Sequence, residues 1–201
     1  MELKELKKAY EEKKLEIKSR LQEFKQLPES KRFNEFVFCA LTPQSNAQKC
    51  WQAVEQISQL NRFNKDSIRQ ILKSKTRFHN NKTIYILENK ELWHSLKDTL
   101  KNPDVKELRN ALANNVKGYG LKEASHFLRN IGKSDNQIAI LDRHILKNLK
   151  GFSLVKEARI KSRKDYLEKE QKYLNFANQV KIPADELDLF WWSQENGEIF
   201  K

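Results

Sequence analysis

Apolar residues recur along this chain at spacings of three and four, the period of helices that bury one face. Leu3, Leu6, Tyr10, Ile17, Leu21 and Phe24 mark one face of a long first helix that stops before Pro28. Its other face carries Lys and Glu at i,i+4 spacing, as a solvated face does. A coiled-coil dimer would need a sustained heptad, which the pattern lacks. Phe33, Phe36, Val37, Ala40 and Leu41 form a second stripe, broken at Thr42 because the ring of Pro43 disfavours helix there. A third helix is predicted over 47–58, and a short one through Leu72, capped by Asn64 or Asp66. The stretch 81–100 reads as one or two helices, with a short strand conceivable at 82–87 from Ile84, Tyr85 and Ile86. Asp104 begins another helix, bearing Val105, Leu108 and Leu112. A helix over 121–130 follows, then an apolar run over 138–141. Asp142 can cap the next helix, and Gly151 lies where a C-cap glycine belongs. The last two helices are predicted over 162–180 and 183–194, with Pro183 suited to a first helical position.

The 201 residues hold only five glycines and four prolines, and no repeat, low-complexity tract or clear linker divides them. The length suffices for one sizeable core or two small lobes sharing one. Lys+Arg 39 against Asp+Glu 27 gives a net charge of +12, which favours a polyanionic partner, nucleic acid before an anionic membrane. Cys39 and Cys50 read as buried free thiols, and two cysteines exclude a cysteine-ligated iron–sulfur cluster or an all-cysteine zinc site. The first residues carry charge and no apolar signal core, and no run of 18 apolar residues occurs. The expectation is an intracellular protein without a membrane span.

The chemistry gathers around Val116-Lys117-Gly118-Tyr119-Gly120-Leu121-Lys122-Glu123-Ala124. Gly118 and Gly120 permit a hairpin with positive φ and leave room for a close neighbour. The helix behind them opens with unpaired N–H groups suited to a phosphate oxygen. Such a helix–hairpin–helix grips one DNA strand by its backbone without reading sequence. A structural turn between packed helices would have the same glycines. Lys122 falls in the first turn of that helix. A free lysine is a poor nucleophile, its unperturbed pKa being about 10.4. A helix N-terminus and partial burial both disfavour an ammonium, so this position suits a reactive amine as well as a phosphate-binding lysine. Asp142 supplies a carboxylate that can offset positive charge developing on a sugar ring, or serve only as an N-cap.

With Leu141-Asp142-Arg143-His144, this segment resembles the helix–hairpin–helix and downstream Asp of the DNA glycosylase superfamily. Arg77-Phe78-His79-Asn80, the run from Lys122 to Gly132 and the closing residues are similar to the second-class 8-oxoguanine DNA glycosylase/AP lyases of archaea and bacteria. The resemblance covers about residue 33 to the end. It implies a mainly α fold of two helical lobes with the active-site cleft between them. Residues 1–201 would form one glycosylase unit, and 105–150 would hold the hairpin and the acidic residue.

By that resemblance, Lys122 is the nucleophile that attacks C1′ and forms a Schiff base, and β-elimination then cuts the strand. Asp142 steadies the oxocarbenium-like sugar. The nucleotide must leave the duplex, at a cost of a few kcal/mol. Gln44, in Leu41-Thr42-Pro43-Gln44-Ser45, matches a wedge that fills the vacated space; as a bare residue it is equally an exposed loop amide. Phe78 and Trp192 match the residues on either face of the extruded base, with stacking worth about 1–3 kcal/mol per contact. Phe190 and Trp191 read instead as core anchors. Lys201 matches a closing lysine that helps recognise the oxidised guanine. His126 and His144 lack a metal-ligand set and read as structural or phosphate-binding. No cofactor is required, and the hairpin carbonyls are a candidate seat for a monovalent cation. The partner implied is double-stranded DNA containing 8-oxoguanine, met by a monomer in a prokaryotic cytoplasm, at the nucleoid. Two other readings stand beside this one: a glycosylase for another damaged base, and a non-catalytic helix–hairpin–helix module.

Overall fold

A computed structural model describes residues 2–201, and every regular element among them is a helix. In chain order these are α1 (Leu3–Lys25), α2 (Glu29–Leu41), α3 (Ala47–Ser58), α4 (Lys65–Lys73), α5 (His79–Thr99), α6 (Val105–Asn115), α7 (Leu121–Asn130), α8 (Arg143–Gly151), α9 (Arg163–Val180) and α10 (Ala184–Asn196). None is long and apolar enough to cross a membrane. Side-chain caps start five of them. Asn46, Asn64, Asp104, Asp142 and Ser162 each accept a hydrogen bond from a first-turn N–H, an interaction worth about 1 kcal/mol.

Four local expectations change. The region 82–87 is the interior of one unbroken α5, so no strand forms there. Gly118 has φ +81, but Gly120 does not adopt positive φ. Gly151 is the last residue of α8 rather than the residue past its end. The left-handed position falls to Ser153 (φ 57), closed by bonds from Ser153 N to Lys150 O and from Leu154 N to Leu149 O. Pro183 precedes α10 as its N-cap instead of opening it.

The chain divides into two compact units. The first comprises Met1–Leu27 and Leu128–Lys201. Its core gathers Leu6, Tyr10 and Ile17 of α1, Leu149 of α8, Tyr173 and Phe176 of α9, and Leu187, Phe190 and Trp191 of α10. Trp191 stacks on Phe176 and on Phe152 at ring distances of 5.8 and 6.0 Å, and Phe190 meets Tyr10 edge-on. These contacts make Phe190 and Trp191 the core anchors expected of them. Each fully buried side chain of this size contributes about 1.5–3 kcal/mol of transfer free energy. Tyrosine hydroxyls in the core find partners: Tyr10 donates to Glu186, Tyr173 to Ala184 O and Tyr166 to Ala139 O.

The second unit is Pro28–Phe127. Phe36 lies at its centre, against Trp93 of α5, Tyr119 of the hairpin and Phe127 of α7. Cys39 and Cys50 form no disulfide and are fully buried in it, as small apolar side chains.

Candidate active site

In the second unit the hairpin is set against α2 and α5. Tyr119 is buried, and its hydroxyl donates to Phe36 O of α2 at 2.8 Å. Asn89 of α5 brackets the backbone of Lys117, donating to its carbonyl at 2.9 Å and accepting from its N–H at 3.1 Å. Gly118 lies so close to Tyr85 of α5 that an added Cβ would stand 2.7 Å from the ring. That position therefore needs glycine twice, for its positive φ and for the close approach. Gly120 has room for a side chain, and its role is at the mouth of α7. Its carbonyl accepts the first helical bond, from Ala124 N, and its N–H donates to Glu123 Oε2 at 3.1 Å.

Glu123 is thus the third residue of α7, reaching back to the residue before the helix, as the acid of a capping box does. Lys122 is the second residue of the same turn. Its side chain is 23% exposed, and its Nζ lies 3.6 Å from Glu123 Oε1. The amine is partly sheltered, with the Glu123 carboxylate beside it as counter-charge. The carboxylate was not part of the sequence expectation, although Gly-x-x-Glu has capping-box spacing.

Gln44 and Phe78 share an unusual backbone. Both are non-glycine residues in the left-handed region, at φ 54 and φ 56, and both are exposed, Phe78 at 52%. Such a conformation costs a residue with a Cβ about 1–2 kcal/mol. Strain of this kind collects where surroundings hold a side chain in a working position. The Arg77 guanidinium stands 5.4 Å from the centre of the Phe78 ring.

Bonded to the segments of both Gln44 and Phe78 is a buried lysine that sequence reasoning did not single out. Lys82 of α5 is 4% exposed. Its ammonium donates to Leu41 O at 2.6 Å, to Pro43 O at 2.9 Å and to Ser45 Oγ at 2.9 Å, using all three of its hydrogens. Ser45 Oγ also accepts from Arg77 N at 2.9 Å, and Cys50 Sγ donates to Leu41 O at 3.3 Å. Burial draws the Lys82 pKa down from its ordinary 10.5 to about 8, and the charges of Lys122 and Arg77 add to the effect. Burial likewise pushes the Cys50 thiol up to about 11, against the opposing pull of Lys82 and Lys122. Nothing local in the sequence marks Lys82, because its partners lie about forty positions away in the chain.

Asp142, Trp192 and Lys201 belong to the first unit, whereas Lys122, Phe78 and Gln44 belong to the second. Asp142 caps α8: its Oδ1 accepts from His144 N and Ile145 N, both at 2.8 Å. Its Oδ2 meets no protein donor among the described residues. Trp192 is half-buried, its ring tilted on Phe200 at 6.3 Å. Lys201 Nζ lies 6.0 Å from the centre of the Phe24 ring, which Arg129 also faces at 5.3 Å. His126 packs its ring edge-on to Phe38, and His144 Nδ1 lies 3.8 Å from Glu195. Among the described residues no cluster of three or more His, Cys, Asp or Glu side chains could hold a metal ion. Of the hairpin carbonyls, Val116 O, Lys117 O and Gly120 O already accept from Tyr119 N, Asn89 Nδ2 and Ala124 N.

Comparison with known proteins places this geometry in a family. The family model Ogg-HhH, 8-oxoguanine DNA glycosylase, matches residues 17–182. An 8-oxoguanine DNA glycosylase/AP lyase of Fusobacterium nucleatum is 40% identical, covering 98% of this chain and 96% of its own length. One from Thermoplasma acidophilum is 35% identical, over 92% and 91%. The 8-oxoguanine DNA glycosylase of Thermotoga maritima superposes with a TM-score of 0.87 at 33% identity, covering 99% of this chain and 98% of that one. The Methanocaldococcus jannaschii 8-oxoguanine glycosylase/lyase, solved with a 15mer DNA containing 8-oxoguanine, gives 0.86 at 32%, over 96% and 98%. With its hairpin, its all-helical fold and relatives matched over nearly all of its length, the chain belongs to the 8-oxoguanine DNA glycosylase family.

Proposed function

We propose that this protein removes 8-oxoguanine from double-stranded DNA and then cuts the strand at the abasic sugar, with Lys122 as nucleophile. The neutral amine attacks C1′, and the bond from C1′ to the base nitrogen breaks. The base leaves with that electron pair and takes up a proton. The adduct opens to a Schiff base. Loss of a C2′ proton then expels the 3′ phosphate by β-elimination, and water hydrolyses the Schiff base to free the lysine. Asp142 contributes its Oδ2 charge to the sugar as positive charge develops there. Phe78 and Trp192 each offer the extruded base a flat face, Gln44 fills the space left in the duplex, and Lys201 assists recognition of the oxidised purine. Gly118 and Gly120 serve the DNA backbone.

The observation that carries this reading is the position of Lys122: second residue of α7, behind the Gly118–Gly120 hairpin and half-sheltered from solvent. A surface lysine that only touched phosphate would have no need of the shelter. The substrate follows from the relatives, whose names carry 8-oxoguanine and AP lyase activity in bacteria and archaea alike. The reaction needs no cofactor. A monovalent cation, if one binds, is assigned to the hairpin carbonyls, and exchange of potassium for tetramethylammonium during DNA binding reads it. The protein acts as a monomer on DNA in a prokaryotic cytoplasm, with a monomer mass in light scattering as the check.

Borohydride trapping on a duplex with a single 8-oxoguanine tests the assignment. The wild type gives a covalent adduct and Lys122→Gln gives none. An adduct that survives in Lys122→Gln reassigns the nucleophile. In a panel of single-lesion duplexes, faster cutting at thymine glycol than at 8-oxoguanine overturns the substrate.

A further inference from the structure

Two exposed side chains with strained backbones, Gln44 and Phe78, need something to hold them, and one group reaches both of their segments. Lys82 lies one helical turn after Phe78 in α5, and the Phe78 carbonyl accepts the Lys82 N–H at 3.0 Å. The other end of Lys82 grips the α2–α3 connection at Leu41 O, Pro43 O and Ser45 Oγ, on either side of Gln44. Ser45 Oγ closes the figure by accepting from Arg77 N, the residue before Phe78.

We propose that Lys82 is a positioning residue for base extrusion, whose ammonium clamps the loop bearing Gln44 to the helix start bearing Phe78. Burying an ammonium among neutral acceptors is a costly way to close a loop, since a buried charge forfeits its hydration. Two carbonyls and a hydroxyl could be satisfied by an amide, an ordinary hydroxyl or water. An ammonium does what those cannot: charge-assisted bonds to three acceptors at once, each roughly twice as strong as a neutral one. The result is a loop fixed to a helix at the two residues whose left-handed backbones would otherwise relax. A wedge works only if the chain behind it does not yield when the duplex pushes back. A stacking face likewise serves best when its ordering is complete before the base arrives. Burial lowers the Lys82 pKa to about 8, which still leaves the ammonium charged at neutral pH.

The inference rests on the proposed roles of Gln44 and Phe78, and it separates from the Lys122 assignment by substrate. Excision from an intact duplex requires extrusion, whereas cleavage of a pre-formed abasic site has no base to extrude. Lys82→Gln is measured in single turnover on both. The expected result is a loss of about tenfold or more on the 8-oxoguanine duplex, with abasic-site cleavage kept within about twofold. Ser45→Ala, which removes one acceptor and leaves the charge, shows the same split at smaller size. It keeps the test alive if Lys82→Gln does not fold. A 2-aminopurine placed beside the lesion reports slower extrusion in both variants. Equal loss on both substrates reduces Lys82 to a structural lysine, and unchanged excision removes the clamp altogether. Lys122→Gln behaves differently from either, losing both reactions.

Discussion

In the proposed mechanism Asp142 carries a local duty and a chemical one at separate atoms. Its Oδ1 is taken by the two cap N–H groups of α8, which orients the carboxyl and leaves Oδ2 for other work. The duties can be pulled apart because asparagine caps a helix about as well as aspartate but carries no charge. Asp142→Asn should therefore hold its unfolding free energy within about 1 kcal/mol of the wild type. Excision should fall about 100-fold or more, the usual loss when a charge-stabilising group is removed from a site. Urea unfolding and single-turnover excision, run side by side, give the comparison. If stability and rate fall together in proportion, the cap was the whole of the role. Lys122 has a similar division around it. Glu123 Oε1 lies 3.6 Å from its Nζ, while Glu123 Oε2 accepts from Gly120 N at the start of α7.

At the scale of elements, α7 is defined at both ends. It opens on the hairpin and closes in a Schellman motif, with Gly132 at φ +69, Gly132 N bonded to Arg129 O and Lys133 N to Leu128 O. A Cβ on Gly132 would stand 2.5 Å from Lys25 Cα and 2.9 Å from Lys25 N, so it would meet backbone rather than a movable side chain. Gly132→Ala should cost about 2–4 kcal/mol, combining left-handed strain with overpacking. Gly197→Ala, also at positive φ but with nothing near its Cβ, should cost only the strain, about 1–2 kcal/mol. Equal losses in thermal unfolding would mean that the chain around Lys25 gives way.

The same contrast explains what could be read from sequence. Helix periods, the caps Asp104 and Asp142, and the place of Lys122 in the first turn of α7 are local patterns and emerged correctly, and of the two caps open for α4 the structure has Asn64. The αL ending at Ser153 did not, because a nearby glycine drew the assignment to itself. The strand reading at 82–87 failed because Ile84, Tyr85 and Ile86 fall in the interior of α5, where only Ile86 is buried and Ile84 faces solvent. Lys82 and Asn89 were invisible, and at Gly118 the positive φ and the close approach were legible but the neighbour was not. Each depends on a partner that only the folded chain brings near: Pro43, Lys117 and Tyr85.

At the scale of the molecule, the first helix belongs with the end of the chain. Tyr10 of α1 bonds Glu186 of α10, and Lys13 Nζ bonds Ser193 Oγ at 3.2 Å, so the first unit closes only after the last helix exists. The buried faces of these helices are spent on that closure. Over the whole chain, Lys+Arg 39 against Asp+Glu 27 leave a net charge of +12, which is the long-range handle on DNA. Each phosphate neutralised by a lysine or arginine releases condensed counterions, so the binding constant falls with salt along a slope of about −0.9 per contact. Six such contacts predict a loss of roughly a thousandfold in affinity for undamaged duplex between about 50 and 200 mM salt. Chemistry at Lys122 should be nearly indifferent to the same change. With enzyme saturating, the single-turnover excision rate should stay within about twofold, because the exposed charges are screened while a sheltered site is not. Fluorescence anisotropy on undamaged DNA and rapid-quench excision across one salt series make the measurement. An affinity that falls less than about tenfold would place fewer than about two contacts on the DNA and leave most of the surplus charge facing water. An excision rate that falls in step with affinity would put the reacting groups in the screened layer, against the shelter from which their role was argued.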